Sequence, residues 1–256
     1  MNTISTEIKK NYMILTLDRG KANPMNQEMV TELRATVAEA QNNDKIKGLI
    51  LTGKSPFFTA GLDVIELYGY DKEEIKAFWY DFAGLTSDLV KFPKPLIASI
   101  TGHSPAGGCV LVICCDYRVM AEGNYRIGLN EIPVGITIPS NIYNLYSFWI
   151  GDRLAYQYLL EGKLILAEKA LEVGLVDEVV AAEKVLERAE KKMKNYLSFP
   201  ANAWQESKAN FKQELISKLS QDVEKAFEPT MRQWWSPEGR FALKMVVDML
   251  SAKKAN

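Results

Sequence analysis

Apolar and polar positions along the first fifty residues predict two strands, a helix and a third strand. Thr3–Lys9 alternates apolar and polar side chains and Tyr12–Leu17 is rich in β-forming residues, which together predict a hairpin turning at Lys10-Asn11. Ile46–Thr52 is almost wholly apolar, as in a strand covered on both faces. Between them Asn26 can cap a helix whose apolar positions recur at helical spacing, namely Met29, Leu33, Val37 and Ala40. A strand, a helix and a strand in that order favour a right-handed crossover and a mainly parallel sheet.

The next fifty residues repeat this order. Gly53–Asp63 is a glycine-bearing loop, and after it Asp71 and Glu74 form a capping box that predicts the start of a second helix. Pro95–Thr101 is predicted as another strand. The apolar stripe of the second helix consists of Ile75, Phe78, Phe82, Leu85 and Leu89. Such a stripe is typical of core packing, although its aromatic content also suits an apolar ligand tunnel.

Two glycine turns follow the predicted strands. His103–Cys115 places a Pro-Ala-Gly-Gly turn before an apolar run, which predicts the exposed N-terminus of a buried helix with Pro105 just inside its start. Such a terminus presents unpaired N–H groups that can hold an oxyanion. In the earlier loop, Gly61 can bring the Leu62 N–H out of its expected pairing, so the N–H groups of Leu62 and Gly107 can converge on one oxygen. Alternatively, both glycine turns serve close packing only.

An oxyanion site needs a group that moves protons, and this part of the chain offers few. Between His103 and Pro139 the carboxylates are Asp116, Glu122 and Glu131. Asp116 ends the apolar helix and Glu122 lies in a polar turn, so both indicate structural roles. Glu131 has mostly apolar neighbours in sequence; burial would raise its pKa and suit a general base and acid, whereas a loop glutamate can also be solvated. His103 is the only histidine, so a serine or cysteine hydrolase would have to be built on it, and it either contacts ligand or merely precedes a turn.

Composition narrows the class of protein. The 256 residues are 47% hydrophobic and carry a net charge of −1, with no long basic run, so nothing favours nucleic-acid binding. Three cysteines, Cys109, Cys114 and Cys115, share one apolar run without nearby histidines, which indicates buried thiols rather than disulfides or a zinc site. No uncharged run approaches the roughly 20 residues of a membrane span, and neither end resembles a targeting signal. We therefore expect a cytoplasmic protein without membrane contact.

Three sequence blocks carry a family resemblance over essentially the whole chain. Phe58–Asp63, Gly102–Asp116 and Gly151–Val180 resemble, in order and spacing, the enoyl-CoA hydratase/isomerase (crotonase) superfamily. Within it, Ser104–Cys109 and Tyr125–Gly135 are most similar to the mitochondrial-type Δ3,Δ2-enoyl-CoA isomerases. The resemblance implies an α/β fold, built as a crotonase-like spiral of ββα units with a C-terminal helical trimerisation region.

The resemblance also implies a site and a ligand. The thioester carbonyl of an acyl-CoA would be held by the N–H groups of Leu62 and Gly107, with Glu131 as the acid and base. The binding site for the coenzyme A moiety would lie near Ala22, Ala60, Gly61 and Asp63. The resemblance implies no metal or redox cofactor, and coenzyme A is part of the substrate.

The C-terminal region is expected to serve assembly more than chemistry. Residues 1–197 would form the core with the CoA and acyl site, and residues 198–256 a helical region for oligomerisation into a homotrimer or a dimer of trimers. The pattern predicts amphipathic helices over Ala181–Leu197, Trp204–Leu219 and Phe241–Leu250, with a break at Trp234–Pro237. The adjacent tryptophans suit either an interface or a core anchor.

Departures from the family pattern indicate the reaction. The hydratases place a glutamate where this chain has Val110, and dienoyl-CoA isomerases place an aspartate where it has Pro139. Glu131 alone suffices for a 1,3-proton shift, so we expect a Δ3,Δ2-enoyl-CoA isomerase. The alternatives are a hydratase or thioester hydrolase that uses a single glutamate, and a catalytically silent acyl-CoA-binding protein.

Overall fold

Nine strands form two sheets in the computed structural model, which describes residues 1–219 and 223–255. The strands are β1 Ile4–Lys9, β2 Tyr12–Leu17, β3 Leu49–Thr52, β4 Leu96–Ile100, β5 Ser104–Pro105, β6 Tyr117–Ala121, β7 Arg126–Gly128, β8 Ile165–Leu166 and β9 Glu178–Val180. The larger sheet has the order β1-β2-β3-β4-β6-β9, in which only the β1–β2 pair is antiparallel. The predicted α/β class with a mainly parallel sheet is thereby confirmed.

Helices connect and cover these strands. The α-helices are α1 Gln27–Asn42, α2 Val64–Tyr68, α3 Lys72–Lys91, α4 Gly107–Ile113, α5 Ser140–Ile150, α6 Asp152–Glu161, α7 Ala167–Glu172, α8 Val185–Leu197, α9 Ala201–Leu219, α10 Val223–Trp234 and α11 Pro237–Ala255. Two short 3-10 helices lie at Ile132–Val134 and Ala182–Lys184. No helix of the described ranges is both long enough and apolar enough to cross a membrane.

The central strands are buried on both faces, as their apolar sequences predict. Ile14, Ile50 and Ile97 pack against α8 on one face. The alternate positions of the same strands, such as Leu15 and Leu51, face the larger core beneath α1 and α3. Because successive side chains of a strand point to opposite faces, a strand buried on both must be apolar throughout.

Several local expectations are confirmed. The β1–β2 hairpin turns at Lys10-Asn11, with Lys9 opposite Tyr12. Asn26 caps α1 by accepting the Met29 N–H at 3.1 Å, and Asp71 forms its capping box with Glu74 at the start of α3. In each case a short polar side chain satisfies N–H groups that the first helical turn leaves unpaired.

The third strand and helix α4 begin later than expected. The third strand begins at Leu49 rather than Ile46, because the Ile46 N–H closes a turn onto the Asn43 carbonyl at 3.0 Å. Pro105 is not in the first turn of α4, since it pairs with Gly128 across the small sheet of β5, β7 and β8. The helix therefore begins at Gly107, and the small sheet holds its start beside the chain that leads from β7 to Glu131.

The C-terminal helices fold back on the rest of the chain. Lys208 and Lys212 of α9 bind the two carboxylate oxygens of buried Asp116 at 2.6 and 2.9 Å. Burial alone would raise the pKa of Asp116, but the two ammonium groups hold it below its ordinary value. Trp234 is 1% exposed and packs on Trp79, so the first tryptophan of the pair is a core anchor. The oligomerisation role of residues 198–256 stays a prediction.

Candidate active site

The loop around Gly61 pairs with the segment that precedes α1, and this pairing leaves the Leu62 N–H without a partner. Met25 donates its N–H to the Gly61 carbonyl and accepts the Asp63 N–H, both at 2.8 Å. In this parallel bridge the groups of Leu62 itself face away from Met25. Gly61 has a φ of +88°, a conformation that glycine adopts without strain. The Leu62 N–H therefore has no hydrogen-bond acceptor within residues 1–219 and 223–255.

The second unpaired N–H belongs to Gly107, the first residue of α4. Ala106 precedes it with φ +49° and ψ −124°, an unfavourable backbone conformation for a residue with a Cβ. The bond from the Ala106 N–H to the Gly128 carbonyl, 2.8 Å long, fixes this conformation. The Gly107 N–H is then one of the unpaired donors at a helix start, and no described residue accepts a bond from it.

The two N–H groups belong to segments in direct contact. A Cβ added to Gly61 would lie 3.0 Å from the Pro105 carbonyl oxygen and 3.4 Å from the Gly107 nitrogen. A Cβ added to Gly107 would lie 3.0 Å from the Leu62 side chain and 2.6 Å from that of Met25. Glycine at both positions therefore allows the two turns to approach closely enough for their donors to address one ligand atom.

Glu131 lies in the same place, at the start of the 3-10 helix that follows β7. Its backbone carbonyl accepts the Val134 and Ile136 N–H groups at 3.0 Å, which fixes the residue on a tight turn. The residue is half-buried, but Oε2 is enclosed and has no hydrogen-bond partner among the described residues. Burial raises the pKa of Glu131 to about 7, against a smaller opposing contribution from its own N–H. Such a carboxyl group can both accept and donate a proton near neutral pH.

One small cavity, which we call the Glu131 cavity, unites these groups. Its volume is about 20 Å³, and apolar side chains form nearly all of its wall. Glu131 is the only ionisable side chain among its described lining residues. They are Leu62, Trp79, Phe82, Gly107, Val110, Glu131, Ile136, Thr137, Ile138, Pro139, Ile142 and Phe227. The structure thus brings together five residues that the sequence singles out, namely Leu62, Gly107, Val110, Glu131 and Pro139.

Three aromatic residues of this wall lie outside the predicted site. Phe82 belongs to the apolar stripe of α3, for which the sequence allows core packing or a ligand tunnel. It packs in the hydrophobic core and also lines the Glu131 cavity. Trp79 lies beside it on α3, outside that stripe. Phe227 comes from α10, in the region expected to serve assembly, so α10 also contributes to the cavity. Phe227 reaches the cavity because α10 packs against α3, and no feature of the sequence predicts that packing.

The expected CoA-binding residues lie next to Leu62. The Ala60 N–H donates to the Ala22 carbonyl at 2.8 Å, so these two half-buried residues are adjacent. Asp63 is 7% exposed and both its carboxylate oxygens have partners, namely the Glu66 N–H at 3.2 Å and Arg19 at 2.6 Å. Its carboxylate therefore stabilises the start of α2, while its backbone N–H donates to the Met25 carbonyl and its backbone carbonyl accepts the Leu67 N–H at 2.9 Å.

The His103 ring is held in place by one hydrogen bond and two aromatic neighbours. Its Nδ1 accepts the Arg126 N–H at 3.1 Å, and its ring lies 5.1 Å from that of Phe57 and 5.3 Å from that of Tyr125. Burial lowers the pKa of His103. No serine or cysteine of the described residues bonds to it, and it does not line the Glu131 cavity, so no hydrolase triad is built there.

Cys109, Cys114 and Cys115 are free and fully buried, and burial raises the pKa of each thiol. Within the described part of the chain, no group of three or more histidine, cysteine, aspartate or glutamate residues is arranged to hold a metal ion.

Known proteins of similar sequence and structure identify the family of this chain. The sequence model of the enoyl-CoA hydratase/isomerase family matches residues 7–233. Mitochondrial enoyl-CoA delta isomerase 1 of Mus musculus is 37% identical over 207 residues, which are 80% of this chain and 72% of that protein. The short-chain-enoyl-CoA hydratase of Clostridium acetobutylicum is 29% identical over 191 residues, covering 74% and 73%. The crystal structure of human mitochondrial delta3-delta2-enoyl-CoA isomerase superposes with a TM-score of 0.94 at 28% identity, covering 98% and 99%. This chain belongs to the enoyl-CoA hydratase/isomerase family and has the crotonase fold.

Proposed function

We propose that this protein is a Δ3,Δ2-enoyl-CoA isomerase, which moves a double bond of an acyl-CoA from C3 to C2. One observation carries the proposal: Glu131, with a pKa of about 7, is the only ionisable side chain among the described residues of a cavity that also contains two unpaired N–H groups. The names of the relatives support it, since in the comparison of sequences three isomerases are 34–37% identical to this chain and four hydratases 29–31%.

In the proposed mechanism Glu131 acts twice. Its carboxylate removes a proton from C2 of the 3-enoyl thioester, and the electron pair moves onto the thioester oxygen to form a dienolate. The N–H groups of Leu62 and Gly107 hold that oxygen, a contact whose loss typically costs about 10²–10³ in rate. The protonated Glu131 then returns the proton to C4, which gives the 2-enoyl thioester. A pKa near 7 suits both halves, because the same group must take and release the proton.

The two departures from the family pattern favour a proton shift by a single carboxylate, Val110 over hydration and Pro139 over shuttling between two carboxylates. Val110 is 2% exposed and lines the Glu131 cavity, where its side chain offers nothing to bind or activate water. Pro139 lines the same cavity and removes the second place for a carboxylate. With one carboxylate, a proton shift within the substrate needs no further group.

The binding site of the coenzyme A moiety and the oligomeric state are also proposals. We assign the coenzyme A moiety to the surface around Ala22, Ala60, Gly61 and Asp63, because this segment leads directly to the Leu62 donor. Coenzyme A is then part of the substrate and no separate cofactor takes part. A homotrimer or a dimer of trimers is proposed on the family resemblance, and a monomeric mass in light scattering at micromolar concentration would contradict it.

The test compares the wild type with Glu131→Gln, which keeps the shape of the side chain and removes its acid–base function. We expect the wild type to convert 3-hexenoyl-CoA to 2-hexenoyl-CoA, and the variant to lose about 10²–10⁴ in kcat. The control is Glu122→Gln, because Glu122 is exposed in the turn after β6 and should leave the rate unchanged.

Two parallel assays separate the alternatives. Supplying 2-hexenoyl-CoA reports hydration, and a thiol reagent reports hydrolysis. Normal isomerisation by Glu131→Gln would refute the mechanism, and water addition or thiol release faster than isomerisation would refute the assignment. Binding without any turnover would identify a silent acyl-CoA-binding protein.

A further inference from the structure

The side chain of Thr59 is buried beside the loop that carries the Leu62 N–H. Its Oγ1 accepts the Gly61 N–H at 3.0 Å and donates to the Asn23 carbonyl at 2.6 Å. Thr59 is 0% exposed, so water does not compete for either bond. Among the described residues, no other side chain bonds to the backbone of residues 60–62. The Thr59 hydroxyl therefore ties this loop to the segment that precedes α1.

Two peptide groups meet at Gly61, and each makes one hydrogen bond to a described residue. The peptide between Gly61 and Leu62 is held through its carbonyl oxygen, which accepts the Met25 N–H at 2.8 Å. The peptide between Ala60 and Gly61 is held through its N–H by the Thr59 hydroxyl. Glycine has the widest choice of φ and ψ, so Gly61 does not keep its φ of +88° by its own preference. The Thr59 bond fixes this conformation and, with it, the direction of the Leu62 N–H.

The methyl group of the same side chain lies against the start of α4. A Cβ added to Gly108 would lie 2.8 Å from Cγ2 of Thr59 and 3.1 Å from its carbonyl oxygen. Thr59 therefore packs directly on the residue that follows the Gly107 donor. A β-branched side chain has few χ1 rotamers, and this contact holds the one in which the hydroxyl meets Gly61. One side chain thus contacts both turns that carry the unpaired N–H groups.

Asn23 gives the Thr59 hydroxyl a fixed partner. It is 0% exposed and has a φ of +49°. Its Oδ1 accepts the Arg19 N–H at 2.9 Å, and its Nδ2 donates to the Phe58 carbonyl at 3.1 Å. Because the side chain of Asn23 bonds on both sides of Thr59's partner carbonyl, that carbonyl cannot turn away without breaking two further bonds. The hydroxyl is therefore anchored on a rigid part of the chain.

We propose that Thr59 is a positioning residue, which aims the Leu62 N–H at the thioester oxygen by holding the Gly61 peptide beside the start of α4. The inference rests on the proposed isomerase function and adds to it a residue that does not line the Glu131 cavity. Donors that stabilise an oxyanion must already point at it before the reaction. A backbone N–H that follows a glycine meets this condition only when a neighbouring group fixes the glycine.

The first experiment measures the isomerisation of 3-hexenoyl-CoA by two variants. Thr59→Val keeps the side-chain shape and removes both hydrogen bonds, and its kcat should fall about tenfold to a hundredfold, less than the loss of a whole donor costs. KM should stay nearly unchanged, because the misaimed donor matters most when charge develops on the oxygen. Thr59→Ser returns the hydroxyl and should restore most of kcat. A residue with a purely structural role would lower stability without this division between kcat and KM.

The matched control is Thr52→Val. Thr52 is 4% exposed in β3, and its hydroxyl donates to the Ser99 carbonyl at 3.1 Å. This variant also loses a buried threonine hydrogen bond, but one that lies outside both turns. It should lose stability in urea and keep the wild-type kcat.

The second experiment needs no turnover. It records the infrared carbonyl stretch of bound hexanoyl-CoA labelled with ¹³C at the thioester carbon. Hydrogen bonds to the oxygen weaken the C=O bond, so the frequency should be lower than that of the free ligand in the wild type and in Thr59→Ser. In Thr59→Val it should lie closer to the free value.

The outcomes distinguish this inference from the proposed function. If Thr59→Val keeps the wild-type kcat and carbonyl frequency, Thr59 is structural only and the inference is overturned. If the wild type isomerises nothing but its carbonyl frequency depends on Thr59 as expected, the positioning role stands and the isomerase function fails. A wild type whose ligand shows the free frequency has no aimed donor, which overturns the inference. Should Thr59→Val not fold, Thr59→Ala and Thr59→Ser differ only by the hydroxyl, and equal kcat in these two would overturn it.

Discussion

Replacing Glu131 with glutamine should make the protein more stable at alkaline pH while it abolishes turnover. The folded protein gives Glu131 a pKa of about 7, whereas the ordinary value is 4.5. Between these two pH values the unfolded chain has released this proton and the folded chain still holds it. The free energy of unfolding therefore falls by about 1.4 kcal/mol for each pH unit in that window. Above pH 7 the buried carboxylate carries a constant penalty of about 3 kcal/mol.

Glutamine stays neutral, so the variant lacks this penalty. Relative to the wild type, Glu131→Gln should gain about 2 kcal/mol of unfolding free energy between pH 5 and pH 8. Any offset caused by burying the amide is the same at both pH values and cancels in this difference. The assay is urea unfolding at each pH and at one fixed protein concentration, because the stability of an oligomer depends on concentration.

Glu122→Gln is the control for this prediction. Glu122 is exposed, so its variant should keep a constant difference from the wild type between pH 5 and pH 8. If Glu131→Gln behaves in the same way, the carboxylate is not desolvated in the folded protein and the acid–base argument for Glu131 loses its basis. If the pH-dependent gain and the loss of isomerisation occur together, one buried group accounts for both.

Three further substitutions test the active site and the backbone and ion pairs that support it. Val110→Glu puts a second carboxyl group beside Glu131, so the two cannot both ionise freely and the acid limb of the isomerase pH–rate profile should move above pH 7. Ala106→Val adds a branched side chain where φ is +49°, and urea unfolding should show a loss of about 1–3 kcal/mol. Asp116→Asn leaves two buried ammonium groups without their counter-ion and should cost about 3–5 kcal/mol in the same assay.

Matched variants separate these effects from simple repacking. Val110→Gln has similar size without charge and should leave the acid limb near pH 7. Glu172→Gln removes an exposed ion pair with Lys169 and should change stability by less than about 1 kcal/mol. An unchanged acid limb in Val110→Glu, or an Asp116→Asn variant as stable as Glu172→Gln, would contradict the corresponding prediction.

The hairpin turn and the helix caps are predictable because each depends on neighbouring residues. The Lys10-Asn11 turn, the Asn26 cap and the Asp71 capping box make their hydrogen bonds within a few positions, so the local sequence contains their cause. The start of α4 depends on the pairing of Pro105 with β7, more than twenty residues away, so the local sequence does not give it. The place of Phe227 in the cavity depends on how α10 packs against α3, which the local sequence does not give either.

Glu131 shows the limit of prediction from neighbouring residues in the sequence. Its apolar neighbours in sequence suggest burial, but a loop glutamate with such neighbours can equally face water. What decides its state is the side chains that meet around it, and most come from distant elements such as α3, α4 and α10. The pKa of about 7 is therefore a property of the assembled wall rather than of the segment that carries the residue.

The proposed chemistry explains why unfavourable features concentrate around one cavity. Ala106 has an unfavourable backbone conformation, the Leu62 and Gly107 N–H groups lack acceptors among the described residues, and Glu131 is desolvated. Each feature lowers the stability of the folded protein, and each is what a dienolate intermediate requires: an aimed donor, a free donor and a carboxyl group near neutrality. A substrate oxygen held by both N–H groups would satisfy the second of these features. Binding of an acyl-CoA should therefore raise the melting temperature by more in the wild type than in Ala106→Val, where the Gly107 donor is misaligned, and equal increases would contradict this account.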